Sequence, residues 1–243
     1  MYSLLSRISD FLWQHDFKRT ISLLRAIKTK FFKTTATGTS IAVSQLEEKL
    51  LFLRDIMKVR SSLSVLEIGP KTGNHSLFID RFFKPKMITF LDRPSKENLI
   101  SKWIHQIKSP NKVIYSDLLA ANIIEKEKYD IIFCLGVVYH NVEYFKTLKF
   151  LRSLLKDDGY LVLGTVLSYD KKSSIIINYT KGQKFDFTRP SKKAIENILE
   201  MTGFDKTKSL ILPYPNQRGF FIYKAGQIVL TDNGVVGFGD STV

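Results

Sequence analysis

Apolar positions in this chain recur with two different periods. Short, nearly unbroken runs at Val65-Leu66 with Ile68, at 87–91, 112–115, 129–136 and 160–166 read as strands buried on both faces. Between them the spacing lengthens to three or four. Leu77, Phe78 and Phe82 place a helix over 74–83, and similar patterns predict helices over 97–107, 143–155 and 191–202, the last ending at Gly203. Strands alternating with helices predict an α/β fold, with a mostly parallel sheet and helices on both faces. Segments 209–212 and 220–224, joined by Pro213-Tyr214-Pro215-Asn216-Gln217-Arg218-Gly219, read as a C-terminal β-hairpin that adds antiparallel to this sheet.

The flanks follow other patterns. Over 1–33, Leu4, Leu5, Ile8, Phe11, Leu12, Phe17, Ile21, Leu24, Ile27 and Phe31 keep helical spacing, and the polar face carries Arg7, Lys18, Arg19, Arg25, Lys28, Lys30 and Lys33 against Asp10 and Asp16. A basic amphipathic helix of this kind lies on an anionic membrane, lies on RNA, or packs over its own domain. A polar linker over 34–40 leads to Ser44, which with Glu47 forms an expected capping box for a helix over 45–58 with Leu46, Leu50, Leu53 and Met57 inward. Periodicity lapses over 168–190, a stretch holding Tyr169, Tyr179, Phe185, Phe187 and Arg189, where a lid-like insertion is expected. The organisation predicted is an extension over 1–40, a single α/β domain over 41–225 and a glycine-rich tail over 226–243.

Charge widens the set of partners. The chain has 243 residues, with 37 Lys and Arg against 23 Asp and Glu, a net charge of +14. That excess points to nucleic acid, an acidic membrane surface or an acidic small substrate, although lysines spread along the chain also describe an ordinary solvated surface. The lone Cys134 excludes an intramolecular disulfide and a cysteine metal cluster, so a reducing cytoplasm and no metal are expected. No apolar run reaches membrane-span length, and Asp10, His15 and Asp16 interrupt the first segment, so neither signal peptide nor anchor is expected.

The candidate chemistry begins at Ser64-Val65-Leu66-Glu67-Ile68-Gly69-Pro70-Lys71-Thr72-Gly73-Asn74-His75-Ser76-Leu77. A strand, a turn bracketed by Gly69 and Gly73, and a helix start leave free backbone N–H groups facing a ligand. Glu67 favours a ligand with a cationic amino-acid end over a dinucleotide, hence S-adenosylmethionine over NAD. Asp92 ends the second strand about 20 residues past the turn, placed for a ribose diol. Asp117 is placed for an exocyclic adenine amine, with Leu118 on the ring. Tyr139 and His140 follow the central strand, where open α/β sheets face their ligands; His140 is the candidate base and Tyr139 a ligand contact.

Five β/α units closed by a hairpin, with acidic groups after the first three strands, resemble the class I S-adenosylmethionine-dependent methyltransferases, a Rossmann-like fold, over about residues 65–224. Gly73-Asn74-His75, Phe133-Cys134-Leu135-Gly136-Val137-Val138-Tyr139-His140, and Arg189-Pro190-Ser191 through Gly203-Phe204 look like the branch of bacterial tRNA wobble-uridine carboxymethyltransferases. The resemblance implies cofactor contacts at Gly69, Asp92, Asp117, Leu135 and Tyr139; Glu67, Lys71, Gly73, His75, Arg93 and Leu118 are the further candidate cofactor contacts from the residues themselves. The resemblance also implies Arg218 as the arginine that meets the extra carboxylate of a carboxy-S-adenosylmethionine. Lys71 stands where that family usually carries glycine, and the N-terminal region lacks the family's tryptophan-rich segment. Ordinary S-adenosylmethionine is therefore the expected donor. The acceptor expected is a small molecule or glycan, met by Tyr169, Arg189 and Arg218. A tRNA-modifying enzyme and a non-catalytic cofactor-binding module are the alternatives.

Overall fold

The computed structural model describes residues 43–57, 62–120, 127–178, 187–212 and 218–226. The expected N-terminal helices, the linker over 34–40, Tyr179, Phe185, most of the hairpin turn and the tail beyond residue 226 lie outside the described residues, as do the side chains of Ser44, Phe187 and Arg218.

A seven-stranded sheet organises what is described. Its strands are β1 (Ser64–Ile68), β2 (Met87–Asp92), β3 (Asn111–Tyr115), β4 (Tyr129–Leu135), β5 (Leu155–Val166), β8 (Phe204–Leu212) and β9 (Arg218–Ala225), in the order β3-β2-β1-β4-β5-β9-β8. The first five run parallel, whereas β9 pairs antiparallel with both β5 and β8. The hairpin is longer than the sequence pattern marks, and its second strand inserts between β5 and the first. Strand order turns back between β1 and β4, and sheets of this type bind ligands at the carboxyl ends beside such a reversal.

Both faces of the central strands are covered, which is why their apolar runs are continuous rather than alternating. On one face Leu66, Ile132, Leu161 and Leu163 pack against Leu148 and Leu151 of α4 (Tyr144–Leu154) and Ile195 and Leu199 of α5 (Lys192–Met201). On the other, Val65, Ile131, Phe133 and Val162 meet Leu50 and Leu53 of α1 (Val43–Met57) and Ile79 of α2 (Asn74–Phe83). Each such side chain taken fully out of water contributes about 1.5–3 kcal/mol. The expected α/β architecture, with helices on both faces and an antiparallel C-terminal pair, is the observed one. No described helix is long and apolar enough to cross a membrane.

Four local expectations differ. The single helix over 97–107 is instead a four-residue α3 (Glu97–Ile100) between 3-10 turns at Pro94–Lys96 and Ile104–Gln106. Trp103 breaks it, with φ −131° and its ring turned inward, edge-on to Phe90 at 5.5 Å. Helix α1 starts at Val43, so Ser44 is already helical rather than at the cap. Asp157-Asp158-Gly159 is not a separate turn but an irregularity inside β5, where Leu155 opposes Tyr129 and Tyr160 already opposes Ile131. Finally, the stretch over 168–190 contains an antiparallel pair, β6 (Ile175–Asn178) and β7 (Phe187–Pro190). Helix α5 is capped as expected: Ser191 Oγ accepts from the Ala194 N–H at 3.1 Å, and Gly203 follows with φ +86°.

Candidate active site

A cavity of about 500 Å³ opens where β1, β2 and β4 end, within the size range of small-molecule sites. Its walls are built from Ile68, Gly69 and Lys71 after β1, Leu91, Asp92, Arg93 and Lys96 around the end of β2, Ser116 to Leu119 after β3, and Gly136 to His140 after β4, omitting Tyr139.

The turn between β1 and α2 has a left-handed backbone at three residues: Gly69 (φ +69°), Lys71 (φ +46°) and Gly73 (φ +75°). At the two glycines the requirement is doubled by lack of space. A Cβ on Gly69 would fall 2.7 Å from Val137 Cγ2, and one on Gly73 would fall 2.3 Å from the Trp103 ring. Lys71 has no such freedom, and the left-handed region costs an L-residue about 1–2 kcal/mol. Two hydrogen bonds hold it there. Its N–H donates to Asp92 Oδ2 at 3.2 Å, and its carbonyl accepts the Trp103 indole N–H at 3.1 Å. The Gly69 N–H donates to the Leu91 carbonyl at 2.8 Å, joining the turn to β2.

Asp92 is fixed from both sides, because Oδ1 accepts the Arg93 N–H at 2.8 Å while Oδ2 takes Lys71. Glu67 is a contrasting carboxyl. It lies behind the turn, 2% exposed and off the cavity wall, and its Oε2 has no hydrogen-bond partner among the described residues. Burial pushes its pKa up to about 8, the Ser76 hydroxyl opposing this and the Asp92 charge adding to it. His140 opens on the cavity, and partial burial together with the Arg93 and Lys71 cations holds its imidazole below the ordinary value.

Of the residues anticipated from the sequence, the structure gathers Gly69, Lys71, Asp92, Arg93, Asp117, Leu118 and His140 on one cavity. Others stand back from it. Gly73 is buried beneath Trp103, and His75 is half-buried in the first turn of α2. Leu135 packs against the core, and Tyr139 is 3% exposed, with its ring centre 4.3 Å from that of His140 and the two planes tilted by 43°. Tyr169 and Arg189 are exposed and off the cavity lining. Arg218 is placed only by its backbone, opposite Val166. Sequence reasoning missed Lys96, Asn141 and Thr147 on the wall and Trp103 behind it. Lys96, Asn141 and Trp103 are placed by turns and loops rather than by any period, and Thr147 is a polar residue on the buried face of α4. Among the described residues no group of His, Cys, Asp and Glu is arranged to hold a metal ion.

Residues 23–209 match the family model described as "Methyltransferase domain". The chain belongs to that family. Several solved structures share the fold of this methyltransferase domain. An S-adenosylmethionine-dependent methyltransferase from Clostridium acetobutylicum superposes with a TM-score of 0.59 at 12% identity, covering 86% of this chain and 100% of the other. The 1,6-didemethyltoxoflavin-N1-methyltransferase of Burkholderia thailandensis, solved with S-adenosylhomocysteine, gives 0.59 at 13% identity over 88% and 92%. The fold is thus that of S-adenosylmethionine-dependent methyltransferases, as the sequence resemblance implies. In sequence, a tRNA U34 carboxymethyltransferase of Campylobacter jejuni is 30% identical over 168 residues, 67% of this chain and 56% of its own length. A protein of the same name from Helicobacter pylori is 35% identical over 105 residues, 41% of this chain and 40% of the relative. The chain spans little more than half the length of the Campylobacter relative it matches.

Proposed function

We propose that this methyltransferase domain transfers a methyl group from S-adenosylmethionine to a small-molecule or glycan-like acceptor. The observation that carries the reading is Asp92: a carboxylate at the tip of β2, each oxygen fixed by a backbone N–H, on the wall of a cavity at the sheet's reversal point. Each oxygen keeps further acceptor capacity, which suits a ribose diol. The cofactor fits the remaining wall. Asp117 supplies an acceptor for an adenine amine, Leu118 and Leu119 an apolar bed, and the exposed Lys71 a cation for a carboxylate.

When bound, S-adenosylmethionine supplies a methyl group already activated by its sulfonium. The chain's task is then to position the two reactants and keep water out. Val137 and Val138 close the cavity beside β4. His140 faces the same space with its imidazole biased toward the neutral form, ready to accept a proton from an acceptor hydroxyl or amine.

A second reading takes RNA as the acceptor, with the carboxylated cofactor as donor. It is favoured by the tRNA U34 carboxymethyltransferase relatives and by Lys71, Arg93 and Lys96 on one cavity. Calorimetric titration with S-adenosylhomocysteine, on wild type and on Asp92→Ala, tests the donor site. We expect micromolar binding by the wild type and a loss of about 100-fold in the variant, from two charge-assisted hydrogen bonds. A wild type that binds only the carboxylated cofactor would replace the first reading by the second. Product release with sugars and small alcohols, set against bulk tRNA at low and high salt, separates the acceptors, since phosphate contacts make RNA turnover fall steeply with salt.

A further inference from the structure

The β6–β7 pair carries an unusual surface. Ile175, Ile176 and Ile177 follow one another along β6 and are 41%, 44% and 60% exposed. Consecutive strand residues point to opposite faces, so aliphatic side chains project from both sides of the pair. Ile176 lies opposite Arg189, while Ile175 and Ile177 lie opposite Pro190 and Thr188. Among the described residues, β6 pairs only with β7 and its outer edge has no strand beside it. On β7 the face of Thr188 and Pro190 is buried against the domain, so the isoleucines stand out along the free β6 edge and its outer face, an apolar ridge without a described cover.

Cations frame the isoleucines. Lys171 and Lys172 are exposed immediately before β6, and Arg189 is exposed on β7. Asp170 is exposed beside them, and its carboxylate is engaged locally: Oδ1 accepts the Lys172 N–H at 2.9 Å and Oδ2 the Ser174 hydroxyl at 2.6 Å, so three described cations face one acid. We propose that the β6–β7 hairpin docks the protein on an anionic lipid bilayer, with the isoleucines entering the headgroup boundary and Lys171, Lys172 and Arg189 meeting lipid phosphates.

Charge and chemistry select this partner over two others. Edge-to-edge pairing with a second copy would bring two sets of these cations together, and like charges across an interface repel. Single-stranded RNA is gripped chiefly by aromatic rings on which successive bases stack, whereas the described side chains of the pair offer three isoleucines and a single arginine. Exposed aliphatic residues ringed by lysine match the surface of interfacial anchors, which insert apolar groups and gain about fivefold in binding for each cation near an anionic leaflet. The hairpin is also tied to the cavity mouth. Thr188 Oγ1, on the residue opposite Ile177, donates to the Tyr139 carbonyl at 3.0 Å, and Asn141, in the same loop, lines the cavity.

The test is co-sedimentation of the full chain with vesicles of phosphatidylcholine alone and of equal parts phosphatidylcholine and phosphatidylglycerol. Wild type should bind the mixed vesicles, release with salt, and ignore the neutral ones. Ile176→Ser/Ile177→Ser and Lys171→Glu/Lys172→Glu should each lose roughly tenfold or more. Both doubles change exposed positions, and an unchanged melting temperature and unchanged S-adenosylhomocysteine binding certify their folds. Failure to bind that ligand in the wild type would sink S-adenosylmethionine as the proposed donor and leave this inference standing. Equal vesicle binding by wild type and the isoleucine double would overturn the hairpin as the anchor. No wild-type binding, with either a dimer that the isoleucine double dissociates or a tRNA complex that it weakens, would assign the same face to a second copy or to RNA instead.

Discussion

The glycine turn and the β6–β7 hairpin both stand beside the β4 loop, at the same end of the sheet, and they are built on opposite terms. The turn is made of backbone: three left-handed residues, hydrogen bonds to β2, and two glycines with no room for a Cβ. The hairpin shows side chains, with Tyr169 62% exposed before it and Ile177 60% exposed upon it. A wall set by backbone geometry admits few residue types and suits a ligand that stays constant. A rim of exposed side chains can change without cost to the fold, and suits whatever varies from one relative to the next.

The sharpest way to break this contrast is Gly73→Ala. Its Cβ would enter the Trp103 ring at a left-handed backbone, and we expect a loss above ~4 kcal/mol, read by denaturant unfolding. A near-neutral result would mean that the turn is as permissive as the rim.

Next comes Glu67→Gln. The folded-state pKa of Glu67 is raised from 4.5 to about 8. The folded protein therefore keeps a proton that the unfolded chain releases, and this contribution to stability is lost as pH rises through that window. Wild type should lose ~2–4 kcal/mol more than the variant between about pH 5 and about pH 8 in parallel urea titrations. Parallel pH profiles would show that Glu67 is ionised and solvated after all.

Trp103→Phe is milder. The ring over Gly73 stays and the N–H to the Lys71 carbonyl goes, costing ~1 kcal/mol of stability and about fivefold in S-adenosylhomocysteine affinity. Affinity that is unchanged while stability falls would reduce Trp103 to packing alone. At the small end, Tyr169→Ala should leave stability within ~0.5 kcal/mol and cofactor binding untouched. A melting temperature that drops would place the rim among the structural parts of the molecule.

How much of this the sequence displays depends on where the information is stored. Strands β1, β2 and β4 are covered on both faces, so burial wrote itself into nearly unbroken apolar runs, and their observed bounds lie within a residue or two of the pattern. Asp92 was legible because its spacing from the turn is dictated by one helix and one strand. Trp103 was not, since its bond to Lys71 spans 32 residues and arises where a helix fails. Tyr139 and His140 show a subtler limit. They are adjacent in a three-residue 3-10 turn that sends one ring into the core and the other to the cavity, and no periodicity phases so short an element. The β6–β7 pair lies within a stretch that shows no sustained period, and three successive β-branched residues are its only trace in the sequence.

The contact between Trp103 and the turn has an optical consequence. The chain has two tryptophans, Trp13 and Trp103, so replacing Trp13 by phenylalanine leaves one indole, buried and hydrogen-bonded to the backbone of the residue that lines the cavity. Its emission colour and lifetime would then register each movement of Lys71. The protein carries its own fluorescent gauge of whether the turn is gripping a ligand, with no dye attached.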